Sequence, residues 1–310
     1  MLGYVIKRLL QLIPTLLLVS IIVFLMVRII PGDPITLLYG VSESGGTSEE
    51  YIDAMRDKYG LNDPLIVQYF RWIGGFFRGD MGTSLLTHKT IAKELTNRYQ
   101  YTIILALGGT VVGSIVGVIF GIIAAACHNK LGDNVVMVIS MIAVSIPSFF
   151  FAMLLMLLFC LHLKLLPSLG LKSWRHAILP IATLGLGAVG MIARTTRSSM
   201  LDVINQDYIR TAKAYGTSRF QIITKYAFKN ALIPVLTAIG LRFGSLLAGA
   251  ALVETIFTIP GIGSFLVSSV NGRDYPAIQS TVLVLAASFV IVNTLVDVVY
   301  ALVDPRVKFE

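Results

Sequence analysis

The sequence is short of charge. Only 14% of its 310 residues are Asp, Glu, Lys or Arg, against 55% hydrophobic residues, where a soluble domain carries about 25% charged. So few charges cannot solvate the surface of a globule this size, which excludes an ordinary soluble enzyme and a disordered chain. Cysteine is nearly absent. Cys127 and Cys160 both lie in apolar stretches, so no disulfide-stapled secreted module is implied. The four histidines, His88, His128, His162 and His176, are scattered. Cys160 and His162 stand two apart, point to different faces of a helix, and make no metal pair. No H-E-x-x-H, G-x-S-x-G or G-x-x-x-x-G-K-[ST] occurs, which removes the usual signatures of metal-assisted hydrolysis, acyl transfer and nucleotide-phosphate binding. No catalytic or metal-binding residue is assigned, and any ATP the protein uses is hydrolysed by another chain.

What is present is apolar length. Mean hydropathy is +0.80, and a hydrocarbon core of about 30 Å needs roughly 20 apolar residues per helix. Six stretches qualify or nearly so: Leu9–Val27, one within Tyr99–Cys127, one within Val135–Leu161, the shorter Ala177–Ala193 with Pro180, about Ala231–Val253 interrupted by Arg242, and about Ile278–Val296. The expectation is an all-α membrane protein with six transmembrane helices. The first run follows Lys7-Arg8 as a signal peptide's core would, but it is long enough to span and Arg28–Asp33 offers no small-x-small cleavage site. It reads as a retained anchor.

The net charge of +8 sits mostly beside the apolar runs, where it reads as topology rather than nucleic-acid binding. Lys7 and Arg8 place the N-terminus in the cytoplasm, and six spans return Arg306 and Lys308 to the same side. The 194–229 loop agrees: Arg194, Arg197, Arg210, Lys213, Arg219, Lys225 and Lys229 face only Asp202 and Asp207. The basic 164–175 loop runs mildly against that rule.

Residues after the first span read as an extracytoplasmic subdomain of short helices. Thr47 and Glu50 have capping-box spacing, Gly60 is a stop, and Asp63-Pro64 opens an aromatic helix over Leu65–Phe77 suited to a membrane surface. Gly109, Gly113, Gly117 and Gly121 form a stripe on one helix face that lets a neighbouring backbone come close. Gly240, Gly244 and Ala248 repeat it; packing within one bundle is the simplest use of both.

The cytoplasmic segment Arg197–Gly216 carries a short helix with small residues at Ala212 and Ala214, then a stop at Gly216. A second helix follows, with Ser218 and Gln221 at capping-box spacing, and runs to Asn230-Ala231-Leu232-Ile233-Pro234. Alone, this reads as a solvated connector. With Tyr4-Val5-Ile6-Lys7-Arg8-Leu9-Leu10, Pro31-Gly32-Asp33-Pro34, Glu254-Thr255-Ile256-Phe257, Pro260-Gly261-Ile262-Gly263, Arg273-Asp274-Tyr275-Pro276 and Asp304-Pro305-Arg306 in order, it resembles the EAA-type loop of ABC-importer permeases. Over nearly the whole chain, the sequence is similar to the first, B-type, permease subunit of the dipeptide, oligopeptide, glutathione and nickel branch. Tyr215, Tyr226 and Lys229 depart from the residues common in that branch.

The resemblance implies a type I importer permease fold, with an anchor and subdomain over 1–94 and a permease domain over 95–304 containing the coupling loop 194–230. It implies that Tyr208, Arg210, Thr211, Ala212, Ala214 and Gly216 dock on a cytoplasmic ATPase. It implies a bacterial inner-membrane assembly with a homologous second permease, two ATPase subunits holding ATP and Mg, and an external solute-binding protein. No cofactor is expected on this chain. Small peptides are the first choice of cargo, with glutathione or a nickel chelate as alternatives.

Arg242 lies inside an apolar span, where a charge costs roughly 2.5–3.5 kcal/mol. It is a candidate for lining the translocation path and receiving a solute carboxylate; a structural pair with Glu254 or with the partner permease is the alternative. Glu254 stands twelve residues on, about 18 Å along a straight helix, too far for direct pairing. An ion-coupled secondary transporter is the competing class, but the sequence shows neither inverted repeats nor helices broken at matched positions.

Overall fold

The computed structural model describes residues 2–29, 33, 35–36 and 49–303, with side chains from 10 to 298. Thr47, the opening Tyr4–Leu9 side chains, Pro31-Gly32, Pro34 and the closing Asp304-Pro305-Arg306 lie outside the described residues. Thirteen helices are labelled here in chain order. They are α1 (Leu2–Ile29), α2 (Glu49–Lys58), α3 (Leu65–Phe77), α4 (Ile91–Ala126), α5 (Leu131–Ser145), α6 (Ser148–Leu155), α7 (Trp174–Ile204) and α8 (Asp207–Ala214). Then come α9 (Arg219–Gln221), α10 (Lys229–Gly249), α11 (Ala251–Ile256), α12 (Ile262–Asn271) and α13 (Tyr275–Val303). Among the described residues β pairing is limited to one bridge between Thr83 and Thr90.

Among the described residues five helical stretches are long and apolar enough to cross a membrane, and a sixth crossing is available as the bent pair of α5 and α6. The expected third span is therefore not one straight helix. It turns by 97° at Ile146-Pro147, where both residues are extended (ψ 123° and 132°). Pro147 cannot donate to the preceding turn and pushes Ile146 out of the helical region. Beyond the bend, α6 passes into a π-helical turn over Met156–His162. This break was not expected from the sequence, and as a single break it lacks the matched partner that a repeat-built transporter would show.

The fourth span is corrected too. α7 runs for 31 residues through Pro180, so Arg194 and Arg197 belong to its last turns and not to a loop. α10 is likewise longer than its apolar core, entered from α9 through a π-helical turn over Ile222–Phe228.

The glycine stripe explains the densest packing. A Cβ at Gly109 would meet Leu184, at Gly113 Ala188 and the Gly185 carbonyl, at Gly117 Ile192, and at Gly121 Thr196. The residue numbers rise together, so α4 and α7 run parallel with their backbones nearly touching. Gly240 and Gly244 do the same against Val296 and Asn293, where the falling numbers make α10 and α13 antiparallel. Val118, Ala188, Ile192 and Val235 fill the middle of the bundle, and Ala125, Met200, Val203, Ala227 and Ala231 close the end from which α8 projects.

At the opposite end sit α2, α3 and α12. Gly60, at φ +65°, follows α2 as the expected stop. α3 has the expected bounds, but Asp63 does not cap it; Pro64 holds the N-cap position with no side-chain bond, and Asp63 pairs with Arg71 at 2.6 Å. Tyr69 and Trp72 turn inward onto Phe24 of α1, with ring centroids 5.3 and 6.2 Å away. Tyr69 Oη also shares a 2.8 Å hydrogen bond with Ser20. Leu65, Ile66, Phe70 and Phe77 face outward. Buried Asp274 caps α13, accepting from the Ala277 N–H at 3.2 Å, and also accepts from the Ser84 hydroxyl and the Leu86 N–H, which ties the 80–90 connector to that helix.

Candidate functional site

α8 has eight residues, too few to persist alone in water, so its ends and anchors decide its position. Asp207 puts a negative charge in its first turn. At its other end the Gly216 N–H reaches the Lys213 carbonyl at 3.0 Å and the Thr217 N–H reaches the Ala212 carbonyl at 3.1 Å. With Gly216 at φ +79°, this is a Schellman termination, whose left-handed residue favours glycine. Ser218 then caps α9, its hydroxyl accepting from the Gln221 N–H at 3.4 Å, which fits the expected spacing.

Two anchors hold α8 against the bundle. Ile209 is fully buried. The Asn230 side-chain amide donates to Tyr208 Oη at 3.0 Å and to the Tyr226 carbonyl at 2.8 Å, tying α8 to the start of α10. Arg219 reaches across to the Ala126 carbonyl at the end of α4. The short element is thus held at the start of α10, and the turn that follows it is held, through Arg219 of α9, at the end of α4.

Of the six residues picked from the loop, Tyr208 serves partly as that anchor. Arg210, Thr211, Ala214 and Gly216 are exposed and Ala212 is half-buried. Nothing lies within 4 Å of a Cβ built at Gly216. Tyr215 and Phe220 stand 85% and 75% exposed beside it, so the outer face joins small residues, two aromatic rings and the cations Arg210 and Lys213. That composition suits docking into a shaped protein groove better than contact with water alone.

Arg242 is not part of this surface. It sits within α10, half-buried, with its guanidinium against α7 so closely that a Cβ at Gly187 would lie 2.7 Å from Nη2. Its Nε is buried and has no hydrogen-bond partner. Pairing with Glu254 is excluded by what holds that residue. Glu254, fully buried in α11, accepts from Thr102 Oγ1 at 2.6 Å and from the Ser264 N–H at 2.8 Å, while Thr102 accepts from the Ile262 N–H at 2.9 Å. The carboxylate is thus spent on the start of α12 and its link to α4.

Two charged groups escaped the sequence reading. Asp133, in the first turn of α5, is bound by Arg197 from the last turns of α7. Asp274 was seen only as part of a motif. The pairing of residues 64 apart leaves no mark in local periodicity; the one available signal was an Asp placed just inside an apolar run.

Among the described residues no group of three or more His, Cys, Asp or Glu side chains could hold a metal ion.

Comparison with known proteins gives a consistent result. Residues 117–309 match the family model described as binding-protein-dependent transport system inner membrane component, and residues 1–106 match its N-terminal companion. The glutathione transport system permease protein GsiC of Salmonella paratyphi A is 42% identical over 310 residues, covering 100% of both chains. The protein of the same name from Escherichia coli (strain K12) is also 42% identical over the full length of both. Among solved structures, two inward-facing forms of the MetNI methionine ABC transporter match with TM-scores of 0.58 and 0.60. They share 21% and 18% identity and cover 68% of this chain and 96% of theirs. The fold is that of a type I importer permease.

Proposed function

Because this chain belongs to the binding-protein-dependent transport system inner membrane components, we propose that it forms one half of a peptide-conducting pathway whose motion is driven through α8. It is a multi-pass permease subunit of an ABC importer, not an enzyme in its own right. The reading rests chiefly on the geometry of α8, a capped helix that follows directly on α7 and is tied to the start of α10, with Arg210, Ala214 and the adjoining Gly216 exposed. An ATPase groove that seizes this helix would move α7 and α10 with it.

In this reading ATP and Mg are bound on two cytoplasmic ATPase subunits, and the chain itself carries no cofactor. A homologous second permease completes the pathway, and a solute-binding protein delivers cargo at the end bearing α2 and α3. The end bearing α8 then faces the cytoplasm of a bacterial cell, with both termini there. The cargo is a small peptide with free carboxylates, of which glutathione is the member suggested by relatives at 42% identity. In this reading Arg242 meets such a carboxylate as it passes, supported by its Nε, which has no partner among the described residues.

Uptake of labelled glutathione and of a labelled dipeptide in cells with and without the gene tests this, with excess nickel as a separate competitor. Gene-dependent uptake that peptides block and nickel does not is the expected result. Uptake that survives ATP depletion but collapses with the proton gradient would overturn it in favour of ion coupling.

A further inference from the structure

A cavity of about 360 Å³ lies between the end of α1, the α2–α3 pair and the start of α13. Its polar lining is one-sided. Among the described lining residues Arg28, Lys58 and Arg71 are cations, Arg71 already paired with Asp63 at 2.6 Å, and Asp80 is the carboxylate. Asp80 already accepts from the Gly82 N–H at 3.0 Å. Two further lining residues hold buried donors, Trp72 Nε1 and Gln279 Nε2, that have no hydrogen-bond partner among the described residues. Gln279 is only 4% exposed, and leaving a buried donor unpaired is unfavourable. A folded protein tolerates two of them in one cavity when something with acceptor oxygens enters it.

Position narrows the chemistry. Arg28 ends the first spanning helix, donating to Gln68 at 2.6 Å with its guanidinium 3.4 Å from the Phe24 ring. Gln279 lies in the opening turns of the last spanning helix. The cavity is therefore level with the boundary between hydrocarbon and headgroups. Beside it, α3 turns Leu65, Ile66, Phe70 and Phe77 outward, an apolar edge suited to acyl chains.

We propose that this cavity binds a phosphate group, supplied by the headgroup of an anionic phospholipid whose chains lie along the outer face of α3. Trp72 and Gln279 donate to the phosphate oxygens, Lys58 closes the rim, and Arg28 supplies the surrounding positive field. The lipid would then pin the α2–α3 pair to the ends of α1 and α13.

The test uses the whole protein in detergent, titrated separately with phosphatidylglycerol, a phosphate-free galactolipid and inorganic phosphate, with bound ligand counted by native mass spectrometry. Phosphatidylglycerol should bind and the galactolipid should not. Lys58→Gln, at an exposed position, should weaken phosphatidylglycerol about fivefold, the factor for roughly 1 kcal/mol per basic residue at a membrane surface. Gln279→Leu should weaken it further, and size-exclusion chromatography checks that this variant is folded. Inorganic phosphate binding with the same sensitivity to both variants, while phosphatidylglycerol does not bind, would keep the phosphate site and assign it to a soluble ion. Equal retention of both lipids, unchanged in Lys58→Gln, would overturn the proposal.

Discussion

Arg197 grips Asp133 at both carboxylate oxygens, Nε to Oδ1 at 2.6 Å and Nη2 to Oδ2 at 2.7 Å. The contact joins the last turns of α7 to the first turn of α5, and the Asn129 N–H, from a residue at φ +60°, adds a third bond at 3.2 Å to the same carboxylate. Asp133 is 2% exposed, so the bond is largely shielded from water.

Removing Arg197 should destabilise the protein by about 3 kcal/mol, because Asp133 is left buried, whereas removing Asp133 leaves Arg197, 27% exposed, within reach of water and should cost less. Arg197→Met is expected to lower the thermal midpoint strongly and Asp133→Leu less so, and their combination less than the sum of the two. Additive losses in a double-mutant cycle would show that the two groups act separately.

The glycine seam gives a sharper steric prediction. A Cβ at Gly113 would stand 2.5 Å from Ala188 Cβ and 2.6 Å from the Gly185 carbonyl, so Gly113→Ala must part α4 from α7 at a cost of about 1–3 kcal/mol. Gly74, in α3, has nothing within 4 Å, and Gly74→Ala should stabilise by about 0.4–1 kcal/mol. Thermal unfolding of the two variants side by side checks the contrast.

At Gly216 the effect should be functional. Gly216→Ala meets no neighbour but must hold φ near +79°, costing about 1 kcal/mol. Gly216→Asp adds a charge to the outer face of α8. It should insert normally while ATP hydrolysis in the assembled transporter loses its dependence on loaded solute-binding protein. Wild-type coupled uptake by that variant would remove α8 from the drive train.

Arg242→Gln should reduce uptake of carboxylate-bearing peptides about tenfold, as loss of a charged hydrogen bond of about 1.5 kcal/mol would. Expression and lipid insertion should be unchanged. Uptake equal to wild type for every candidate solute would leave the residue a packing role against Gly187.

A pH effect belongs to Asp33, outside the spans. Burial pushes its carboxyl up, but hydrogen bonds from Thr36 and from Arg56, the latter at 2.9 Å, outweigh that and hold it below the ordinary 3.8. A depressed carboxyl stabilises the folded state above its unfolded value and loses that contribution as pH falls through the folded one. The thermal midpoints of wild type and Asp33→Asn should therefore differ at pH 6 and converge below 3.8.

Apolar length was enough to place α1, α4, α10 and α13, because a membrane imposes a minimum run that few other structures need. It failed where a helix outruns its apolar stretch. α7 continues past Arg194 because Thr196, Met200 and Val203 stay buried against α4 and α10, a tertiary cause with no local signature. The Ile146-Pro147 bend was written in the proline, yet an unbroken apolar run concealed it. In the segment around α8, Gly216 and Ser218 announced their turns through backbone chemistry alone. The anchoring of Tyr208 by Asn230, and the use of Glu254 to hold α12, depend on residues brought together from distant parts of the chain.

The parallel seam of α4 and α7 has a mechanical meaning. Two rods free to slide past each other bend easily; the same rods fastened along their length bend as one thick beam. Gly109, Gly113, Gly117 and Gly121 are the fastenings, each letting the opposite backbone seat so closely that sliding would drive side chains into main chain. A pull applied through α8 at the end of α7 is therefore carried along two helices at once, and arrives at the far end of the molecule with little lost to flexure.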